Sequence, residues 1–161
     1  MHADAPLDRW TVRGEPAEVV ERMRRWLDQP DGDGAGGAEL VVETSGSTGE
    51  PKRVRLSRDA LLASVHASAA RLGATGPWVL ALPPTYVAGV QVIARSLVAG
   101  HPPVLLDRDG WPAGEGWFVS LVPTQLTRML SDPADLAALR RAHTVLLGGG
   151  PIGPTLREQA E

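Results

Sequence analysis

Short apolar runs alternate with segments of helical hydrophobic spacing along most of this chain, and that alternation restricts its fold more than any other feature. The runs AELVVE, RVRLS, WVLAL, PPVLLD, GWFVSLV and TVLLGGG are short and rich in aliphatic or β-branched residues, as buried strands are. Between them lie segments such as YVAGVQVIARSLVAGH, whose apolar residues recur three and four positions apart. Strand and helix therefore alternate through residues 39–161, which predicts an α/β fold with a largely parallel sheet and helices on both faces.

Capping and breaking residues set the expected ends of these elements. The first two strands are expected at residues 39–43 and 53–56. Ser57 is predicted to cap the helix that follows, and Gly73 to end it. PTQLTRMLSD is predicted to be a helix with proline in its first turn, LAALRRAH to continue as helix, and PTLREQAE to begin a last one. The loops expected at the carboxyl ends of strands, where such sheets bind ligands, are 44–50, 83–86 and 148–151.

The first part of the chain differs from the rest. Residues 16–28, PAEVVERMRRWLD, have apolar side chains at helical spacing and a charged opposite face, which predicts an amphipathic helix. The following QPDGDGAGGAE is typical of a flexible loop. We therefore divide the chain into a helical preface with a Gly-rich loop, residues 1–37, and an α/β portion, residues 38–161.

Composition favours a soluble cytoplasmic domain. The chain has 161 residues, of which 43% are hydrophobic, enough to bury a core. Its net charge of −3 and scattered arginines give no electrostatic reason to expect nucleic acid or an anionic membrane as partner. No apolar run approaches the roughly 18 residues that span a bilayer, and the first residues lack a signal-peptide pattern. The absence of cysteine excludes disulfides and thiolate metal sites.

Residues 43–54, ETSGSTGEPKRV, combine hydroxyls and glycines with Lys52, the only lysine of the sequence. Glycines let backbone N–H groups turn towards an anion, hydroxyls add hydrogen bonds, and a lysine adds a mobile charge. This composition favours polyphosphate binding; an exposed turn between two strands is the structural alternative. The spacing does not match the loop of P-loop NTPases, because Gly46 and Gly49 are too close together and Pro51 precedes the lysine.

Three segments resemble one known family in the family's own order. TSGSTGEPK resembles the phosphate loop of the adenylate-forming superfamily, which contains acyl-CoA synthetases, nonribosomal-peptide adenylation domains and luciferases. LPPTYVAGVQVIARSL resembles the superfamily's substrate-gating segment. SLVPTQL followed by LLGGGPI resembles the o-succinylbenzoate–CoA ligases of menaquinone biosynthesis. The resemblance covers roughly residues 38–157 and departs from the pattern at Arg53, where the family usually has glycine.

The resemblance implies ATP, Mg²⁺ and CoA as ligands, and it assigns roles to particular residues. Catalytic roles fall to Lys52 and Thr48, with Thr48 also near the metal ion. The residues implied in nucleotide binding are Thr44, Ser45, Gly46, Ser47, Thr48, Gly49, Lys52, Gly148, Gly149, Gly150 and Pro151. Those implied in binding the carboxylic acid are Tyr86, Gly89, Ser120, Pro123, Thr124 and Gln125. Tyr86 stands where many relatives have histidine, so this position lacks a titratable imidazole.

The activity implied by the resemblance is ATP-dependent acid–thiol ligation, in which a carboxylate is converted to an acyl-adenylate and then transferred to CoA. The family's second lysine, its Y-G-x-T-E-like string, its ribose-binding aspartate and its hinge motif have no counterpart in this sequence. We therefore expect the N-terminal part of a ligase, inactive by itself. Two alternatives stay open: an acyl-CoA synthetase for another acid, and a non-catalytic nucleotide-binding or interaction module. The stretch VIARSLVAG could pair two chains in a homodimer.

Overall fold

The computed structural model describes residues 9–29, 39–44 and 52–160. Within these ranges it contains seven strands and seven helices. In chain order they are β1 (Arg9–Thr11), α1 (Pro16–Leu27), β2 (Glu39–Thr44), β3 (Lys52–Ser57), α2 (Arg58–Leu72), β4 (Trp78–Leu80), α3 (Val87–Val98), β5 (Val104–Leu105), α4 (Leu106–Asp109), β6 (Phe118–Leu121), α5 (Pro123–Leu130), α6 (Pro133–Leu139), β7 (Thr144–Leu147) and α7 (Pro154–Ala160).

The larger sheet is four-stranded and wholly parallel, in the order β5-β4-β6-β7. Successive residues of its strands point to opposite faces, as the pleat requires. Trp78 and Phe118 pack with α3 on one face, whereas Val79 and Val119 pack with α5 and α6 on the other. The predicted α/β class, with a largely parallel sheet and helices on both faces, is confirmed.

A second sheet was not predicted. It has three strands in the order β1-β2-β3; β1 and β2 are parallel, and β2 and β3 are antiparallel. Strands 39–43 and 53–56 were expected as members of one sheet, and no strand was expected at Arg9–Thr11. Three residues are too few to show a periodicity. β1 becomes a strand only because it pairs with β2, about 30 positions away in sequence.

The inner face of the second sheet joins the same core as the first helix. Trp10, Leu40 and Val42 are buried in one cluster with Val19 and Trp26 of α1. The predicted preface helix is therefore confirmed, and it is packed on the α/β portion. The predicted division after residue 37 falls outside the described residues.

Several element ends differ from the sequence-based expectation, and the strands of WVLAL and GWFVSLV are shorter than predicted, whereas TVLLGGG forms the predicted strand that runs into a glycine turn. PPVLLD was predicted to be a strand, but only Val104 and Leu105 are extended and the chain then enters α4. A carboxylate oxygen of Asp109 accepts a hydrogen bond from the Leu105 N–H at 3.0 Å, which holds this short turn closed. LAALRRAH does not continue as helix through its end. α6 starts anew at Pro133 behind an Asp132 cap and stops at Leu139.

The ends of α2 and the packing of α3 concern two further expectations. The Ser57 hydroxyl accepts a hydrogen bond from the Ala60 N–H at 3.2 Å, and Gly73 ends α2 at a φ of 70°, both as predicted. Within the stretch VIARSLVAG, Val92, Ile93, Ala94 and Ser96 are fully buried, whereas Val98 is exposed. A homodimer through this stretch stays a prediction. None of the described helices is both long and apolar enough to cross a membrane.

Candidate functional site

The strand order creates a crevice at the carboxyl edge of the parallel sheet. β4 lies between β5 and β6; the helix that follows β4 (α3) covers one face of the sheet, whereas the helix that follows β6 (α5) covers the other. Such points, where the connections change sides of the sheet, are where open α/β sheets bind ligands. The ladder between β4 and β6 has two residue pairs in the described backbone, Trp78–Phe118 and Val79–Val119, and it ends there.

Gln125 spans this crevice. Its side-chain Nε2 donates a hydrogen bond to the Ala81 carbonyl at 2.6 Å, at the end of β4. Its Oε1 accepts from the Val122 N–H at 3.0 Å, at the end of β6. The sequence predicted that Gln125 lines the acid site. The structure shows that both ends of its amide are bound to the backbone, one to each side of the crevice.

Two more of the predicted acid-site residues lie where the loop after β4 meets α3. A Cβ placed on Gly89 would lie 2.1 Å from the Pro83 carbonyl oxygen, so only glycine allows the first turn of α3 to pack on this loop. Tyr86 precedes that helix, and its N–H donates to the same Pro83 oxygen at 3.2 Å. With 52% of its surface exposed, Tyr86 lies at the protein surface near the carboxyl edge.

The glycine turn after β7 rests against the start of α5. The Gly148 N–H donates to the Leu121 carbonyl at 3.2 Å, and Gly149 has a φ of 78°. A Cβ on Gly149 would lie 3.2 Å from Val122 Cγ1, and one on Gly150 would lie 3.7 Å from Pro123 Cγ. The structure therefore brings Gly148–Gly150 together with Pro123 and the neighbouring exposed Thr124, and Pro151 continues the turn, also exposed.

Ser120 lies inside the parallel sheet. It pairs with Leu146 of β7 and is half-buried. Because side chains alternate along a strand, it shares the face of Phe118, which α3 covers. Ser120 therefore lies on the α3 face of β6, the strand next to β4, and not on the loop that leads to Tyr86.

The phosphate loop is described only at its two ends. Ser45, Gly46, Ser47, Thr48 and Gly49, including the predicted magnesium contact of Thr48, lie outside the described residues. Thr44 and Lys52 flank the loop and face each other in the β2–β3 ladder. By strand alternation, the exposed Lys52 lies on the same face as Val54 and Leu56, which pack against the core.

Arg53, where the family pattern has glycine, points to the other face of the hairpin. Its Nε donates to Glu43 Oε1 at 3.3 Å, and Arg13 donates to Glu43 Oε2 at 2.7 Å. These contacts, chiefly the hydrogen bond from Arg13, lower the pKa of Glu43 below its ordinary value. Arg53 is thus part of an exposed charge cluster and does not share a face with Lys52.

A cleft of about 730 Å³ opens at the carboxyl ends of β4 and β5. Besides Gln125 and the loop residues Leu80–Pro84, it is lined by Leu105–Arg108 and by Glu15, Pro16 and Ala17 at the start of α1. Sequence reasoning missed both Leu105–Arg108 and Glu15–Ala17. The contact between the start of α1 and the β4 loop joins residues more than 60 positions apart, so no local sequence pattern indicates it. Among the described residues, no group of three or more His, Asp or Glu side chains could hold a metal ion.

Curated relatives of known name match this chain. It is 45% identical over 124 residues to a protein of Mycobacterium tuberculosis (strain CDC 1551 / Oshkosh) named probable 2-succinylbenzoate–CoA ligase, covering 70% of this chain and 32% of that protein. It is 38% identical over 122 residues to the 2-succinylbenzoate–CoA ligase of Escherichia coli (strain K12), covering 73% and 26%. The chain thus spans about a third or less of the length of these relatives.

Solved structures match it as well. An acyl-CoA synthetase (AMP-forming)/AMP-acid ligase II-like protein from Dyadobacter fermentans has a TM-score of 0.67 at 28% identity, covering 93% of this chain and 43% of that one. The o-succinylbenzoate coenzyme A synthetase of Bacillus subtilis, in complex with ATP and magnesium ion, has a TM-score of 0.59 at 28% identity, covering 74% and 27%. The sequence model of the family described as AMP-binding enzyme matches residues 40–161. That match takes in both ends of the phosphate loop, the β4 loop and the glycine turn, and the chain therefore belongs to the AMP-binding enzyme family.

Proposed function

We propose that this chain forms the ATP- and acid-binding part of an ATP-dependent acid–thiol ligase. The reaction would convert 2-succinylbenzoate to its acyl-adenylate and transfer it to CoA, in the cytoplasm, for menaquinone biosynthesis. The observation that carries the proposal is the crevice between β4 and β6, where the glycine turn after β7 contacts the start of α5. The names of the curated relatives support the acid.

The residues at the carboxyl edge suit a nucleotide. A Cβ on Gly148 would meet no atom within 4 Å, so the backbone of this exposed turn is open to a flat ring. Lys52 is exposed at the end of the phosphate loop and supplies a positive charge for phosphate oxygens. ATP supplies the activated phosphorus that a carboxylate attacks. The residues of this chain would hold the phosphates and orient the acid, which is chiefly electrostatic and positional work.

The cleft beside the crevice suits the organic part of an acid. Its volume, about 730 Å³, lies in the range of small-molecule sites, and its lining is mainly proline, leucine and alanine. Tyr86, Gly89, Ser120, Pro123, Thr124 and Gln125 would surround or support the acid at the crevice. We also propose that these 161 residues alone do not complete the reaction, because the single lysine of the sequence is assigned to the phosphate loop.

Two adjacent cations on opposite faces of β3 provide a matched test. We expect Lys52→Ala to weaken ATP binding by roughly tenfold or more, since it removes a charge-assisted contact to phosphate. Arg53→Ala removes an equal formal charge from the face that carries Glu43, and ATP affinity should stay near that of the unchanged chain. Isothermal titration calorimetry of the full chain with Mg·ATP measures both. Equal affinities for Lys52→Ala and the unchanged chain would overturn the proposal.

A further inference from the structure

Beyond Val79 and Val119, the described backbone shows no further ladder pairs between β4 and β6, whereas β6 and β7 stay paired as far as Leu121 and Leu147. Beyond these pairs the two walls of the crevice are held by apolar packing, Leu80 with the cluster of Phe118 and Ala81 with the cluster of Val119. Among the described hydrogen bonds, those of the Gln125 amide join the walls there, from Ala81 on one wall to Val122 on the other.

The chemistry of the two partners fixes the orientation of this amide. A backbone N–H only donates and a carbonyl oxygen only accepts, so Oε1 must face Val122 and Nε2 must face Ala81. Val122 stands at the N-cap of α5 and its side chain has no acceptor, so the side chain of Gln125 satisfies the N–H there. The Gln125 side chain thus satisfies the N-cap N–H of α5 and also links the ends of β4 and β6.

Each wall held by Gln125 continues into predicted ligand-binding residues. Ala81 leads to Pro83, whose carbonyl oxygen receives the Tyr86 N–H and limits how close α3 comes at Gly89. Val122 and Pro123 contact Gly149 and Gly150. A change in the span of the Gln125 amide would therefore move the acid-binding loop relative to the glycine turn.

We propose that Gln125 is a positioning residue that sets the width of the ligand crevice by joining the carboxyl ends of β4 and β6. This inference rests on the proposed function only for the identity of the ligand. The role differs from lining the acid site, because the amide acts on the ligand through the backbone at Ala81 and Val122.

The variant Gln125→Glu keeps one of the two hydrogen bonds of the amide and removes the other, so it tests them separately. A glutamate still accepts from the Val122 N–H and suits the first turn of a helix, but it cannot donate to the Ala81 carbonyl and repels it instead. We expect this variant to bind Mg·ATP about tenfold more weakly and to have a urea midpoint between those of the unchanged chain and of Gln125→Met. Gln125→Met, which loses both bonds, should weaken binding and lower the urea midpoint as well.

Thr127→Ala is the matched control, because the Thr127 hydroxyl donates to the Pro123 carbonyl at 3.0 Å on the same helix without joining the strands. It should bind Mg·ATP as the unchanged chain does. If Gln125→Glu also binds as the unchanged chain does, the positioning role is wrong.

A second readout needs no ligand. In NMR spectra of the unliganded full chain, Gln125→Glu should shift the Ala81 carbonyl carbon and the amides of both Tyr86 and Gly149, on the two walls. Shifts confined to α5 would overturn the positioning role. If the unchanged chain fails to bind Mg·ATP, the proposed function fails, and the NMR comparison still decides the role of Gln125.

Discussion

Gly89 shows how a single hydrogen atom in place of a side chain shapes the site. The glycine was predicted to allow a close approach of α3, and the structure identifies the partner as the Pro83–Pro84 backbone. A backbone atom cannot rotate aside as a side chain can. The tight contact therefore places Tyr86 and the β4 loop, and it needs the absence of a Cβ.

We expect Gly89→Ala to lower the free energy of unfolding by about 1–3 kcal/mol, because the added methyl overlaps the Pro83 carbonyl. Urea denaturation followed by tryptophan fluorescence measures this. Gly114→Ala is the control, since a Cβ there would meet no atom within 4 Å. A loss for Gly89→Ala no larger than that for Gly114→Ala would show that the loop moves aside freely.

Strand alternation, also at the residue scale, explains how the departure from the family pattern at Arg53 is accommodated. Lys52 and Arg53 are neighbours, yet the pleat sends them to opposite faces. Arg53 donates a hydrogen bond to Glu43 on the outer face of the β2–β3 hairpin, so its long side chain is accommodated beside the predicted phosphate loop. The sequence showed the substitution, and the β2–β3 register accounts for it.

At the scale of elements, α3 is joined to β4 by more than apolar packing. Ser96 is fully buried, and its Oγ accepts a hydrogen bond from the Trp78 N–H at 3.1 Å, where β4 begins. Arg95, the preceding residue, lies over the Trp78 ring at 5.0 Å, and burial lowers its pKa. These contacts position the start of the central strand against its covering helix.

We expect Ser96→Ala to cost about 1–3 kcal/mol of unfolding free energy, because it leaves a buried N–H without its acceptor. Ser131→Ala, which removes an exposed hydroxyl bonded to the Thr127 carbonyl, should cost clearly less. Thermal and urea unfolding of the two variants provide the comparison. Equal losses would mean that the Trp78 N–H finds another acceptor.

The helices were predictable because their signals are local. The α2 ends follow from a serine hydroxyl and a glycine that adopts positive φ. The wrong predictions of secondary structure also have physical reasons. At PPVLLD the apolar run alone favoured a strand, whereas an Asp109 carboxylate closes a helical turn from Leu106.

For the molecule as a whole, we expect no pyrophosphate release when the 161-residue chain is mixed with ATP, Mg²⁺ and 2-succinylbenzoate. The reaction builds negative charge that needs cationic stabilisation, and the family resemblance assigns a second lysine to that task. A coupled pyrophosphate assay measures this, with the Escherichia coli 2-succinylbenzoate–CoA ligase as positive control. Release from this chain at a rate above that without protein would contradict the expectation.

The α/β class and most helix positions could be predicted from the sequence, because hydrophobic period and caps are local properties; the nine-residue nucleotide loop is a local pattern too, and its role stays a prediction. Three features became apparent only from the folded chain: residues 9–11 form a strand, α1 reaches the cleft, and Gln125 joins β4 to β6. Each of these depends on contacts between residues 30 or more positions apart. Such contacts exist only once the sheets are assembled, so no local pattern records them.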